Sequence, residues 1–443
     1  MRFENDAVLD IAIVGSGISG LSAAWLLAKR HRVTLFEADG RIGGHSHTVV
    51  APSGPVDTGF IVYNESTYPN LTALFAHLEV PTKASEMTFS VSIDDGRLEY
   101  GANDLGSLLA QRRNIFRPRF WSMMRDLLRF YRQAPRDLAG LGDESLTDYL
   151  DRGGYGVAFR EDHLYPMAAA IWSTPSTDIP LYPAAAFIRF WDNHALFELG
   201  QRPIWRTVDG GSREYVKRLT ASYADRIIRD APVRSVRRSG GRVDITTDHE
   251  TRQFDHVVLA CHADQALAML SDPDPAEQAL LGAFGYRCND AVLHSDAALM
   301  PKRRRTWSSW NYAARGADAN KLSVTYWMNR LQGLPDSTPL FVTLNPLREP
   351  DPASIIWRGI YDHPVFDTAA IHAQQQLWSL QGNRNSWFCG AYFGAGFHED
   401  GLQAGLAVAE QLGGVSRPWS VANPSGRIHV HPVDAAPLLA VAS

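Results

Sequence analysis

Ile11-Ala12-Ile13-Val14-Gly15-Ser16-Gly17-Ile18-Ser19-Gly20 decides the fold of this chain. The apolar run Ile11 to Val14 reads as a buried strand, and Leu21 to Arg30 reads as a helix. A second strand, Arg32-Val33-Thr34-Leu35-Phe36, follows and ends on Glu37. Strand, G-x-G-x-x-G turn, helix, strand and acid stand in the order of a dinucleotide-binding βαβ unit. Gly15 turns the chain sharply out of the strand, Gly17 lets backbone approach a pyrophosphate, and Gly20 lets helix and strand pack closely. The helix N-terminus offers free N–H groups and a positive dipole end to phosphates. Glu37 can accept hydrogen bonds from both ribose hydroxyls and would repel a 2′-phosphate, so NADP does not fit.

The 443 residues predict two intimately packed domains. Hydrophobic residues make up 45% and charged residues 21%, the balance of a globular protein without a membrane span. A net charge of −5 gives nucleic acid no footing. Cys261, Cys288 and Cys389 are far apart and form no metal or disulfide pattern, which fits a reducing cytoplasm. The N-terminal residues have no signal-peptide pattern. Lysine occurs only as Lys29, Lys83, Lys217, Lys302 and Lys321, so nearly all positive charge is arginine.

Beyond Glu37, Arg41-Ile42-Gly43-Gly44 suggests a second backbone loop pressed against an anion, or else an ordinary surface turn. Val56 to Tyr63 reads as strand and turn, and helices are predicted over 67–78 and 104–111. Asp209-Gly210-Gly211 precedes a helix at 213–223. Asp255 to Cys261 reads as a buried strand, Ser386 to Gly394 as a strand entering a glycine loop, and Gly401 to Leu412 as a helix.

Between 112 and 137, Phe120, Met123, Met124, Leu127, Phe130 and Tyr131 recur at helical spacing among eight arginines. A basic amphipathic helix with aromatics suits an anionic membrane surface. The alternative is a helix whose apolar face packs on its own domain while its arginines face water.

Three separated segments agree: the N-terminal βαβ unit continued by Arg-Ile-Gly-Gly, the central Asp-Gly-Gly before a helix, and the C-terminal glycine loop opening a helix. Together they resemble the FAD-dependent amine oxidase and phytoene desaturase superfamily. Arg-Ile-Gly-Gly-His-Ser-His-Thr and Val-Asp-Thr-Gly-Phe-Ile-Val-Tyr-Asn are similar to a bacterial branch that includes desaturases of methyl-branched acyl chains on the way to furan fatty acids. The resemblance implies an α/β fold, a Rossmann-like FAD-binding domain with a discontinuous α+β substrate domain. It places the FAD domain at 1–60, 206–265 and 386–443, and the substrate domain at 61–205 and 266–385. It also implies that Gly15, Gly17, Ser19 and Gly20 hold the pyrophosphate and Glu37 the adenosine ribose. Arg41, Gly43 and Gly44 would hold the phosphate and ribityl region. Gly59, Phe60 and Ile61 would pass the flavin edge, and Val233 would pair its backbone with adenine. Gly390, His398, Leu402 and Gln403 would lie near the ribityl chain and flavin. The helix near Gly401 would point its dipole at the pyrimidine ring, stabilising reduced flavin by about 1 kcal/mol.

The departures from that family narrow the reading. His45 stands where members often carry arginine. No Gly-Gly-Cys-Tyr segment exists for a covalent flavin link, so FAD is expected to be non-covalent. The lysine that amine oxidases bridge through water to the flavin would fall near Asn289 or Asp290, and none of the five lysines is there. Phe397 stands where one tyrosine of the amine-guiding cage would be.

Dehydrogenating an acyl chain needs an apolar, dry site and a group to take a proton. Trp191, Trp310, Tyr312 and Phe397 are the candidate lining residues, each equally readable as core. His194 and His294 are the candidate bases, each equally readable as structural. His45 and His47 have no acidic or cysteine neighbours in sequence to complete a metal site. The reading is therefore a FAD-dependent desaturase or oxidase of a hydrophobic small molecule or membrane lipid, methyl-branched acyl chains among them. It is expected in the cytoplasm, with peripheral attachment to the inner face of the membrane through 112–137. The alternatives are an oxidase of a small amine or polyamine, and a non-catalytic FAD-bound partner of lipid-modifying enzymes.

Overall fold

A computed structural model describes residues 7–172, 179–194, 196–197, 203–315 and 322–432. The side chain of Trp172 is outside that description. The chain divides into two compact units, each assembled from separated segments: 1–44, 216–284 and 369–443 in the first, and 45–215 and 285–368 in the second. The sequence reading placed the joints near 60, 206, 265 and 386.

The first unit is built on a five-stranded parallel sheet. Its strands are β1 (Asp10–Val14), β2 (Arg32–Phe36), β3 (Ile227–Ile228), β4 (His256–Leu259) and β5 (Ser386–Phe388), in the order β3-β2-β1-β4-β5. Ile11, Ala12 and Ile13 are wholly buried, as a strand covered on both faces requires. The chain leaves β1 toward β2 on one side, while β4 lies on the other. That reversal makes the carboxyl end of β1 the topological switch point, where ligands of open α/β sheets bind. Helix α1 (Ile18–Leu27) starts there. Helix α2 (His398–Gly413) packs along it.

The second unit carries a seven-stranded mixed sheet. In spatial order its strands are Ile355–Val365, Gly285–His294, Phe341–Leu344, Leu322–Trp327, Trp310–Ala314, Phe89–Ile93 and Leu98–Gly101. All neighbours run antiparallel except Trp310–Ala314 with Phe89–Ile93. Val91, Tyr100, Leu293, Tyr312, Val324 and Val342 from the sheet form one apolar cluster with Phe120 and Met123 of the helix Pro118–Asp137. The apolar stripe of that helix thus faces its own unit. Phe120, Met123, Leu127 and Phe130 are buried, which answers the packing half of the sequence alternative. Among the described residues no helix is long and apolar enough to cross a membrane.

Candidate functional site

The glycine turn has the conformation its sequence demands. Gly15 sits at φ +101°, and a Cβ there would stand 2.8 Å from the Ala260 carbonyl at the end of β4. A Cβ on Gly20 would overlap the Gly15 carbonyl. Gly17 is different, because nothing lies within 4 Å of its would-be Cβ. Backbone at that point is open to an approaching group, and no side chain caps the start of α1. Its first N–H groups and its dipole are directed at that opening.

Arg41, Gly43 and Gly44 close over the turn. The Gly43 N–H donates to the Ser16 carbonyl and hydroxyl, each at 3.1 Å, and a Cβ on Gly44 would be 3.0 Å from the Gly17 Cα. Arg41 folds back so that Nη1 donates to the Gly44 carbonyl at 2.8 Å. Glu37 braces the same turn. Its Oε2 accepts from the Ser16 N–H at 3.0 Å and from the Ser16 hydroxyl, and its Oε1 accepts from the Asp39 N–H at 2.9 Å. A carboxylate offers about four acceptor directions, and these bonds use three of them. The Ala231 N–H donates to the Glu37 carbonyl at 2.9 Å, which brings the segment entering Val233 beside it. Val233 itself pairs with Thr247 in a small antiparallel sheet. Ser16, rather than Ser19, is the joint between the turn, the acid and the second loop.

Ser19 belongs to the contact between α1 and α2. Gly401 faces Ser19 and Ile18 at the start of α1, Gly405 faces Ser19 and Ser22, and Gly413 faces Leu27 and His31 at its end. The two helices therefore run parallel with their N-termini together. The His31 ring (Nε2) lies 2.9 Å from the Gly413 carbonyl and fastens the other ends. Small residues spaced four apart allow this close approach. Two positive helix ends converge on one side of the sheet.

At the head of α2, Leu402 and Gln403 are buried. Gln403 is committed internally: Nε2 donates to Glu399 at 2.9 Å, and Oε1 accepts from the Arg427 N–H at 3.0 Å. A side chain so occupied braces the head of the helix. Desolvation pushes His398 down to about 3, so its ring is neutral near pH 7. Gly390 is required by space, since a Cβ would touch the Tyr392 ring at 2.5 Å. Phe397 precedes α2, and its N–H donates to Asp400 at 2.8 Å.

In the second unit, Gly59 and Phe60 run back along His45. The Phe60 N–H donates to the His45 carbonyl at 2.8 Å, and the Ile61 carbonyl accepts from the Thr207 hydroxyl at 2.8 Å. Asp57 joins this segment to the central glycine pair. Its buried carboxylate accepts from the Thr48 hydroxyl at 2.6 Å, the Ser212 N–H at 2.9 Å and the Gln332 amide at 2.9 Å. Burial still pushes Asp57 up to about 6. The sequence reading singled out Val-Asp-Thr-Gly and Asp-Gly-Gly separately. The bond between Asp57 and Ser212 shows why both are needed.

A second cluster in this unit was missed. The Tyr361 hydroxyl lies 2.7 Å from the Thr58 hydroxyl and 3.4 Å from His47 Nδ1. The His45 ring stacks on Tyr361, with centroids 4.9 Å apart, and lies 5.5 Å from the His363 ring. His363 Nδ1 is 3.1 Å from the Asn289 amide, which in turn accepts from Asn345 at 2.8 Å. Three imidazoles and one phenol meet there, and His45 is one peptide bond beyond Gly44. The register Asn289↔Tyr361 assembles the cluster, and only strand pairing reveals it. No group of three histidine, cysteine or acidic residues among those described could hold a metal.

The two histidines chosen from sequence are placed otherwise. His294 is wholly buried; its Nδ1 accepts from the Asp296 N–H at 3.1 Å, and its Nε2 meets the Thr343 hydroxyl at 2.7 Å. Both ring nitrogens are used in structure, which corrects its reading as a base. His194 ends the helix Ala184–Asn193 with Nδ1 2.8 Å from the Phe190 carbonyl and its ring against Phe190. Of the proposed lining, Trp191 is fully buried among Phe130, Phe187 and Phe197, and Tyr312 lies in the sheet core. Both are core residues. Trp310 and Phe397 retain partial exposure.

Comparison with known proteins agrees with this geometry. Residues 18–293 match the family described as flavin containing amine oxidoreductase. AofH of Mycobacterium tuberculosis, assigned as a flavin-containing monoamine oxidase, is 24% identical over 384 residues, 83% of this chain and 77% of its own. Wild-type putrescine oxidase bound to putrescine superposes with a TM-score of 0.67 at 15% identity, covering 92% of this chain and 99% of its own. A fatty acid isomerase from P. acnes that produces CLA superposes with a TM-score of 0.65 at 15% identity, covering 90% and 97%.

Proposed function

The chain belongs to the flavin containing amine oxidoreductases and is a FAD-dependent oxidoreductase, and on that premise we propose that it dehydrogenates a hydrophobic, lipid-like substrate, methyl-branched fatty acyl chains being the preferred class. The observation that carries the proposal is Asn289. The resemblance puts the lysine of amine oxidases near Asn289 or Asp290; the strand Gly285–His294 has no lysine, and its Asn289 is a wholly buried amide bonded to an imidazole and a second amide. Phe397, without a hydroxyl, points the same way: the wall it offers is apolar.

The protein's own residues divide the work. Gly17, the head of α1 and the Arg41 loop would take the phosphates, and Glu37 a ribose hydroxyl. The converging N-terminus of α2 favours negative charge developing on a group in front of it. Bound there without a covalent link, FAD supplies hydride acceptance. The remaining proton needs an acceptor, and the cluster of His45, His47, Tyr361 and His363 offers imidazole nitrogens joined to a hydroxyl. His194 and His294 are not needed in that role.

Membrane lipids from cells with and without the protein, compared by mass spectrometry, test the reading. One acyl species gaining a double bond only when the protein is present supports it; an unchanged lipid profile argues against it. The second reading, oxidation of a small amine, is favoured by the likeness to AofH and to putrescine oxidase. Peroxide release with amines would select it.

A further inference from the structure

The arginine-rich segment hides the aromatics read from its periodicity and exposes others. The helix Pro118–Asp137 is preceded by a short 3-10 turn, Arg112–Phe116, and Arg117 separates the two. The turn pushes Ile115 and Phe116 outward, Phe116 to 85% exposure. Trp121 leans back over the turn, with its indole N–H donating to the Ile115 carbonyl at 2.8 Å, and remains 51% exposed. Three large apolar side chains thus form one projecting knuckle, an arrangement a water-facing surface does not favour.

Arginine dominates the charge around this knuckle. Arg113 donates to the carbonyls of Gly96 and Arg97, and Arg117 to the Arg97 carbonyl and Asn114. Those acceptors are neutral, so these hydrogen bonds offset neither positive charge; Asp162 attracts Arg117. Arg112 is exposed beside them. Three other arginines of the segment differ: Arg119 pairs with Glu161 and Asp162, and Arg125 and Arg129 share the buried Asp126. Arg132 and Arg136, further along the helix, are exposed as well. Desolvation first, then repulsion from Arg113 and Arg97, lowers Arg117 from its ordinary value against the attraction of Asp162.

We infer that the knuckle Ile115, Phe116 and Trp121, ringed by Arg112, Arg113 and Arg117, is a docking surface for an anionic lipid membrane. Aromatic side chains enter the headgroup region while arginines pair with phosphates. The inference extends the lipid-substrate reading, but vesicle binding is measured without turnover, so either can fail alone.

The test is flotation of the full-length FAD-loaded protein with vesicles of phosphatidylglycerol and phosphatidylcholine, against phosphatidylcholine alone. Binding is expected to the anionic vesicles only and to weaken as salt is raised. Arg112→Gln with Arg113→Gln and Arg117→Gln should weaken it on the order of a hundredfold. Phe116→Ser, at a position exposed enough to leave folding unchanged, should weaken it about tenfold. No binding to anionic vesicles at low salt, or binding that ignores Phe116→Ser, overturns the inference. So does sedimentation showing a dimer of the native protein that Phe116→Ser abolishes, since the knuckle would then join two copies of the chain.

Discussion

Gly401 lies directly against Ser19: a Cβ at 401 would stand 2.8 Å from the Ser19 hydroxyl. That contact lets α1 and α2 run side by side with their N-termini together. A larger residue must push the helices apart where both dipoles are used. Gly401→Val is expected to destabilise the first unit by about 1–3 kcal/mol, the usual cost of overpacking, and to lower the FAD content of the purified protein. Thermal unfolding and the flavin-to-protein absorbance ratio measure the two effects.

Gly17 makes the complementary case. A Cβ there would have no protein atom within 4 Å. Gly17→Leu is therefore expected to leave the apoprotein folded while abolishing FAD binding. Equilibrium unfolding of the apoprotein and flavin retention on gel filtration separate the outcomes. A Gly17→Leu protein that keeps full flavin would place the phosphates elsewhere.

His294 and Tyr361 can be told apart by substitution. His294→Gln removes a ring bonded at both nitrogens, so it should cost stability and leave turnover per folded, FAD-loaded molecule within about twofold. Tyr361→Phe removes the hydroxyl joining Thr58 to His47. It should retain FAD, and turnover should fall on the order of a hundredfold, the scale of a lost proton-transfer group. Its pH–rate profile should also lose an ionisation. The reverse pattern would return the base to His294.

Acid sensitivity follows from two buried rings. Desolvation lowers both His163 and His294 to about 4. In the unfolded chain they titrate near 6.5. Between those values the unfolded state binds more protons, so stability rises with pH across the window and is lost as pH falls through it. The full shift of one ring is worth at most about 3 kcal/mol. Denaturant midpoints measured between pH 7 and pH 4 should fall, and His294→Gln should flatten the decline.

The dinucleotide unit was legible because its rules are local. β2 spans the predicted residues, and α1 begins at Ile18, within the turn itself. The helix predicted from Gly401 starts three residues earlier, at His398, because its first turn carries His398, Glu399 and Asp400 in place of an apolar pattern. The short helix predicted over 104–111 shrinks to Leu105–Leu108. Long-range pairing was the invisible part. Nothing in sequence joins Asn289 to Tyr361 or Asp57 to Ser212. Nor does aromatic content tell a packed Trp191 from an exposed Trp121. The helical spacing of 112–137 correctly predicted an amphipathic helix, but the helix begins only at Pro118, and the turn before it carries the exposed Ile115 and Phe116.

The most direct test of the central proposal is anaerobic titration of the purified yellow protein with phospholipids bearing methyl-branched acyl chains, and separately with small amines, following flavin absorbance. Bleaching by the branched lipid, with a product lacking one pair of hydrogens, is the predicted result. Bleaching by amines alone, with the lipid inert, would contradict it.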